Sequence, residues 1–466
     1  MTHSISRRQL LKYSSFAAAA VAAPKLLHAA PAAKTPNIVL IMADDLGHEA
    51  IECYGGTSHK TPRINKMAAD GMKFTKAYSQ PVCTPTRVKI MTGQSNIRNY
   101  QAFSILGTEE KTTGHLMQSA GYKTAIAGKW QLYGAEGYPE GIINTGMHPK
   151  DSGFETYCLW QIDKKANRFW NPTINTNGKT KTYGKNVYGP DVFTKFGMNF
   201  MTANKDKPFF LYYPMVLTHA PMLPTPDSKN GNSKNNQANF SDMLTYADKI
   251  VGKFIDHAEK LGIAENTLII FTGDNGTSKL IKSVMNGKTI QGGKAQVHEY
   301  GNHVPFVAYW PGTIAKGKPC TDLIDFSDVY PTLAEIGGAA MPEDIIRDGR
   351  SFLPQLCGEK GNPREWYFCY YHPRPTRSGN PHIFAHDGEY KLFRTGEFYH
   401  TAKDPLQKND LAGKTLSPVA QGAKDKLQAA LDSMPAKALK LRSPDSVTKT
   451  PKPTGKKPKK KKTAKK

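Results

Sequence analysis

The stretch NIVLIMADDLG, residues 37–47, decides the fold. Its first seven residues form an apolar run with no polar alternation, the mark of a strand buried on both faces. The run ends directly in Asp44 and Asp45. Four further runs share this texture: KTAIAG (123–128), PFFLYYPMVL (208–217), TLIIFTG (267–273) and VPFVAYW (304–310). Helix-like stretches lie between several of them, among them TPRINKMAADG, TTGHLMQSAG and SDMLTYADKIVGKFIDHAEKLG. The last places Met243, Leu244, Ala247, Ile250, Val251, Phe254, Ile255 and Ala258 on one stripe and closes at Gly262. Strands alternating with helices predict an α/β fold, a large and mostly parallel sheet sandwiched by helices.

The chain has 466 residues, enough for one large domain and a smaller one. Residues 160–200 and 224–239 are rich in polar and turn-forming residues and read as surface excursions. From about residue 360 the texture changes to short aromatic pieces (WYFCYYH, PHIFAHDGEYKLFR, EFYH), followed by a candidate closing helix at 418–434. These predict a smaller C-terminal α+β subdomain built on a short antiparallel sheet. The expected divisions are a leader at 1–33, a catalytic domain at 34–355, the subdomain at 356–435 and a tail at 436–466.

The formal charge of +24 suggests a nucleic-acid binder until it is located. Residues 1–34 hold five basic residues and no acid, and residues 449–466 hold ten lysines and no acid. Without those fifteen, residues 35–448 carry only +9. The lysine tail is low-complexity and reads as disordered. It suits acidic polysaccharide or anionic lipid better than a specific nucleic acid. The N-terminal SRRQLLKYSSFAAAAVAAPKLLHAAPAA resembles a twin-arginine export signal. That implies the twin-arginine export machinery as a partner and a bacterial periplasmic or secreted location. No run is apolar and long enough to predict a transmembrane span. The six cysteines show neither CxxC spacing nor a dense framework, which argues against a cysteine zinc site and leaves a disulfide or two open.

In an open α/β sheet, ligands bind beyond the carboxyl ends of the strands. Four of the five apolar runs deliver polar residues there: Asp44–Asp45, Lys129 with Trp130 and Gln131, His219 within THAP, and Asp274–Asn275–Gly276. Three aspartates gathered in a dry cleft repel, and a divalent cation between them removes that penalty. Three carboxylates and an amide form a hard, all-oxygen set, which favours Ca²⁺ or Mg²⁺ over zinc. Within PVCTPTR (81–87), Cys83 falls near the start of a candidate helix, with Arg87 close by. A helix N-terminus and a fixed cation lower a thiol pKa and suit a nucleophile or an anion-binding position. A thiol is nonetheless a poor partner for an oxygen-seeking cation.

Cys83-Thr84-Pro85-Thr86-Arg87 resembles the CxPxR core motif of the sulfatases, members of the alkaline-phosphatase-like superfamily. In that family this cysteine is oxidised to formylglycine. MADDLG (42–47), CYGG (53–56), GKW (128–130), THAP (218–221), GDNG (273–276) and GGKAQVHEYGNHVPFVAYWPG (292–312) resemble further family blocks, in family order. KLFRTGEFYHTAKDPLQKNDLA resembles the family's C-terminal subdomain. The resemblance spans roughly residues 36–415 and implies a sulfuric ester hydrolase, with a formylglycine-generating enzyme as maturation partner. It implies one Ca²⁺, ahead of Mg²⁺, held by Asp44, Asp45, Asp274, Asn275 and modified Cys83. Modified Cys83 would attack sulfur and Arg87 would hold its hydrate. Lys129 and Lys294 would grip the sulfate oxygens, and His219 would lie beside the leaving oxygen as proton donor.

Two departures stand out. The family's GKWHxG is altered, with Gln131 and Tyr133 in place of the histidine and glycine, so turnover is in question or a substitute base is needed; His48 and His115 are the candidates. His303 stands where GGxRVP-type relatives have arginine, a change expected to affect a supporting salt bridge rather than the chemistry. The alternatives are a phosphate or phosphonate ester hydrolase of the same superfamily, or a catalytically impaired binder of sulfated glycans. Lys129 and a single apparent metal favour sulfate. A sulfated carbohydrate, including sulfated polysaccharide, is the expected substrate class, with specificity from 134–200, 224–239 and the C-terminal piece.

Overall fold

The computed structural model describes residues 35–374 and 379–438. The expected leader and all but the first residues of the expected tail lie outside this range. Sixteen strands are described. β1 to β8 are Asn37–Ala43, Met72–Tyr78, Lys123–Lys129, Thr156–Trp160, Thr173–Thr176, Lys179–Thr182, Phe209–Pro214 and Thr267–Gly273. β9 to β16 are Lys282–Met285, Lys288–Gln291, Phe306–Tyr309, Cys320–Asp325, Tyr367–Tyr371, His382–His386, Tyr390–Phe393 and Phe398–His400.

Ten strands form one sheet in the order β12-β2-β11-β8-β1-β7-β3-β4-β5-β6. From β8 through β4 every pairing is parallel. The run read at 304–310 supplies β11, which lies antiparallel between β8 and β2. The absence of polar alternation in NIVLIMA has its cause here. Ile38, Leu40 and Met42 pack into the core on one face, and Val39, Ile41 and Ala43 into the core on the other. Three helices cover the first face: α2 (Cys83–Thr92), α3 (Thr113–Ser119) and α6 (Val329–Gly337). Three cover the second: α1 (Pro62–Asp70), α4 (Gly189–Ala203) and α5 (Asn236–Lys260). β13 to β16 form a separate antiparallel sheet, against which α7 (Pro418–Asp432) packs.

The two stretches read as surface excursions are partly regular. Residues 160–200 contain the β5–β6 hairpin and most of α4, whose Phe193, Phe200 and Met201 enter the core. α5 begins five residues before the apolar stripe read from Ser241, because the Asn235 side chain accepts from the N–H groups of Gln237 and Ala238 and caps it there. All six cysteines stand as free thiols. Among the described residues no helix is long and apolar enough to cross a membrane.

Candidate active site

The site is built by register. Ala43 of β1 pairs with Gly273 of β8, so Asp44–Asp45 and Asp274–Asn275 leave the sheet side by side. The Asp274 N–H donates to the Ala43 carbonyl at 2.9 Å, and the Asp45 N–H donates to Asp274 Oδ1 at 2.9 Å. On the other flank of β1, the Asp44 N–H donates to the Leu217 carbonyl at 2.7 Å and the Thr218 N–H returns to the Asp44 carbonyl at 2.7 Å. This brings THAP, and His219 with it, to the same edge. Lys129 closes β3.

α2 starts at Cys83 and stands over these strand ends. Thr86 fastens it: its hydroxyl accepts from the Gln80 N–H at 3.1 Å and lies 2.7 Å from the Asp274 carbonyl, to which it can donate. One turn on from Cys83, Arg87 donates to Asp274 Oδ2 at 3.0 Å and to the Lys129 carbonyl at 3.3 Å. The Lys129 ammonium donates to both oxygens of Asp44, at 3.0 and 2.8 Å. Lys294 donates to Asp45 Oδ2 at 2.5 Å and faces His219 Nε2 at 3.0 Å. Asp44, Asp45, Cys83, Arg87, Lys129, Asp274 and Asn275 are buried, while Lys294 and His219 are partly open. Asp44, Asp45, Cys83, Arg87, Lys129, His219, Asp274, Asn275 and Lys294 therefore sit in one cluster, whereas the candidate bases His48 and His115 do not.

The cluster is shaped for a cation of more than unit charge. Side-chain atoms of Asp44, Cys83 and Asp274 lie within 4.8 Å of one another, as do those of Asp44, Asp45 and His219. Burial works against the Asp44 carboxylate, but Lys129, His219 and Arg87 outweigh it and hold Asp44 well below the usual range. Burial likewise opposes Asp45, and His219 and Lys294 prevail. No such surplus is left for Asp274, which burial and Asp44 push up to about 8 despite Arg87 and Lys129. Asn275 donates through Nδ2 to Asp45 Oδ1 at 2.9 Å, yet its buried Oδ1 has no hydrogen-bond partner among the described residues. An orphaned amide oxygen beside three carboxylates, one short of compensating charge, fits a hard divalent ion.

The local expectation for Cys83 is corrected. Its thiol pKa is raised, not lowered: burial dominates, and Asp44 and Asp274 add to it against Lys129 and Lys294. The thiol donates to Gln131 Oε1 at 3.0 Å, so residue 131 does face residue 83, as an amide that cannot take a proton. Neither substitute histidine lines this cleft. His48 is buried against His303, ring centroids 3.9 Å apart, and His115 caps α3 through Thr112. His303 approaches Glu299 at 3.5 Å, a supporting contact.

Sequence reasoning missed Arg168. Its guanidinium donates to the Ala220 carbonyl and lies 2.8 Å from His219 Nδ1, bracing the imidazole from behind. It lies in NRFW (167–170), inside a stretch read as excursion, and no spacing signal marks it. Tyr138 and Gln161 were missed for the same reason. Together these residues line a cleft of about 630 Å³ that opens over Cys83.

The family model described as Sulfatase matches residues 36–339, and that described as N-sulphoglucosamine sulphohydrolase, C-terminal, matches residues 293–434. Arylsulfatase A of Homo sapiens is 30% identical over 423 residues, covering 80% of this chain and 78% of that one. N-acetylgalactosamine-6-sulfatase of Rattus norvegicus is 31% identical over 364 residues, covering 71% and 67%. The solved structure of PsFucS1 sulfatase from Pseudoalteromonas sp. superposes with a TM-score of 0.69 at 23% identity, covering 86% of this chain and 91% of that one.

Proposed function

The chain belongs to the sulfatase family, and from that premise we propose that it releases sulfate from a carbohydrate ester at residue 83, after oxidation of the Cys83 thiol to formylglycine. The observation that supports this reading is the convergence of Cys83, three aspartates, Asn275, His219 and the three cations Arg87, Lys129 and Lys294 at one strand edge. Asp44, Asp45, Asp274 and Asn275 would hold Ca²⁺, which supplies positive charge where negative charge develops. Formylglycine at residue 83 would supply a hydrated aldehyde, an oxygen nucleophile in place of the thiol.

The remaining roles fall to side chains already in place. Arg87, pinned by Asp274 and the Lys129 carbonyl, presents a fixed cation beside residue 83. Lys129 and Lys294 flank the position of the sulfate and bind its outer oxygens, where charge accumulates in the transition state. His219, braced by Arg168 and facing Lys294, orients the leaving oxygen and delivers its proton. A carbohydrate ester is supported by the relatedness to an N-acetylgalactosamine-6-sulfatase. The leader sequence supports export by the twin-arginine route to the periplasm or beyond, and residue 83 requires a formylglycine-generating enzyme. The proposed division is a catalytic domain to about residue 355 and a subdomain to about 435.

The test is co-expression with a formylglycine-generating enzyme, followed by mass spectrometry of the peptide containing residue 83 and turnover of an aryl sulfate. Turnover should scale with the modified fraction, and Cys83→Ala should lower it by about a thousandfold or more. Full turnover by unmodified protein, or by Cys83→Ala, would overturn the proposal.

A further inference from the structure

Among the described residues, the cleft over Cys83 is lined by five cations, Lys129, Lys165, Arg168, Lys294 and Arg374, and by no aspartate or glutamate. Lys129 and Lys294 are matched beneath it by Asp44 and Asp45. The other three form no ion pair among the described residues. Each instead lies on an aromatic face. Arg168 stacks 4.6 Å over Trp160 and 4.9 Å over Phe169, Lys165 stands 3.7 Å over Tyr138, and Arg374 lies 5.8 Å over Phe103. The Phe103 and Tyr138 rings are themselves 6.1 Å apart. An aromatic face fixes a cation in position without neutralising it.

Two further details point outward to a ligand. Arg168 Nε is buried and has no acceptor among the described residues. The Tyr138 oxygen accepts from Gln131 Nε2 at 3.1 Å and from Gln161 Nε2 at 2.7 Å, which occupies both lone pairs and leaves its own O–H free to donate into the cleft. Lys165 and Arg374 also repel each other across this rim. An anion lodged there would relieve the repulsion and meet oriented donors.

We propose that Lys165, Arg168 and Arg374, with the Tyr138 hydroxyl, form a subsite for a second anionic group on the substrate, a carboxylate or a second sulfate. The preferred ester then belongs to a polyanionic saccharide. This deepens the sulfate-ester reading and rests on it.

Calorimetric binding to full-length Cys83→Ala separates the subsite from turnover. The probes are a monosulfated disaccharide bearing a uronate, the same sugar with its carboxyl reduced to an alcohol, and a disulfated disaccharide without uronate. The uronate or the disulfated sugar, whichever anion the rim takes, should bind about tenfold more tightly than the carboxyl-reduced sugar. Lys165→Met and Arg374→Ala, each added to Cys83→Ala, should erase most of that difference. Equal binding of all three sugars, or a preference unmoved by both substitutions, would overturn the subsite. Turnover of 4-nitrophenyl sulfate, which has no second anion, is measured separately on the modified wild type; its absence would count against the hydrolase and leave the binding comparison standing.

Discussion

At the scale of single residues, position 86 shows how one hydroxyl ties the helix to the strand. Thr86 accepts from the Gln80 N–H and reaches the Asp274 carbonyl, both fully buried. Thr86→Val keeps the shape and strands those two groups, so we expect a loss of about 1–3 kcal/mol in urea unfolding, whereas Thr86→Ser should stay near wild type. Conserved stability in Thr86→Val would show that the hydroxyl is not needed. The paired acids were readable at this scale because each follows an apolar run directly, with no turn between them. Arg168 was not: its meaning comes from His219, fifty-one positions away, which only the folded chain brings to 2.8 Å. The raised thiol pKa of Cys83 was likewise hidden. A helix N-terminus and an arginine are visible in the sequence, but the burial and the two aspartates that outweigh them are not.

Among the elements, β3 shows what a close backbone approach accomplishes. Gly128 has φ +127°, and a Cβ there would fall 2.0 Å from the Pro214 carbonyl oxygen of β7. Only glycine lets the strand end lie this near its neighbour and aim Lys129 at Asp44. Gly128→Ala should cost about 1–3 kcal/mol of stability or more and lower aryl sulfate turnover with it, since the strand must move away from Pro214. A variant with an unchanged urea midpoint would show that the contact relaxes freely. The β5–β6 hairpin carries a turn signal inside a stretch whose composition reads as surface excursion. Asn177 (φ +48°) and Gly178 (φ +87°) form an Asn-Gly two-residue turn between Thr173–Thr176 and Lys179–Thr182. The short polar strands, exposed along β6, masked it by resembling a loop.

For the whole molecule, the junction of the two sheets is held by buried ionisable groups. Glu299, ahead of β11, faces His386 of β14 at 3.4 Å and Lys391 of β15 at 3.9 Å. Burial takes the His386 pKa down to about 3, with Lys391 and His303 adding to it and Glu299 and Asp387 opposing. A neutral histidine in the folded state and an ordinary one in the unfolded state give stability that is complete above about pH 6.5 and is lost as pH falls toward about 3. Wild-type unfolding free energy should therefore fall across about pH 6 to 4, and His386→Gln should flatten that slope by about 1.4 kcal/mol per pH unit. An unaltered slope would assign the acid sensitivity elsewhere.

The amino-acid sequence by itself determined the layered α/β architecture, because strands buried on both faces must be apolar throughout and helices covering them must carry a stripe. It also determined which strand ends bear acids, lysine and histidine, since the acids and Lys129 follow their runs directly and His219 lies two residues beyond its run. Tertiary structure alone decided the strand order that sets Ala43 beside Gly273, the antiparallel insertion of β11, and the rim of stacked cations. Those depend on contacts between residues far apart in the chain, whose register and burial no local pattern encodes.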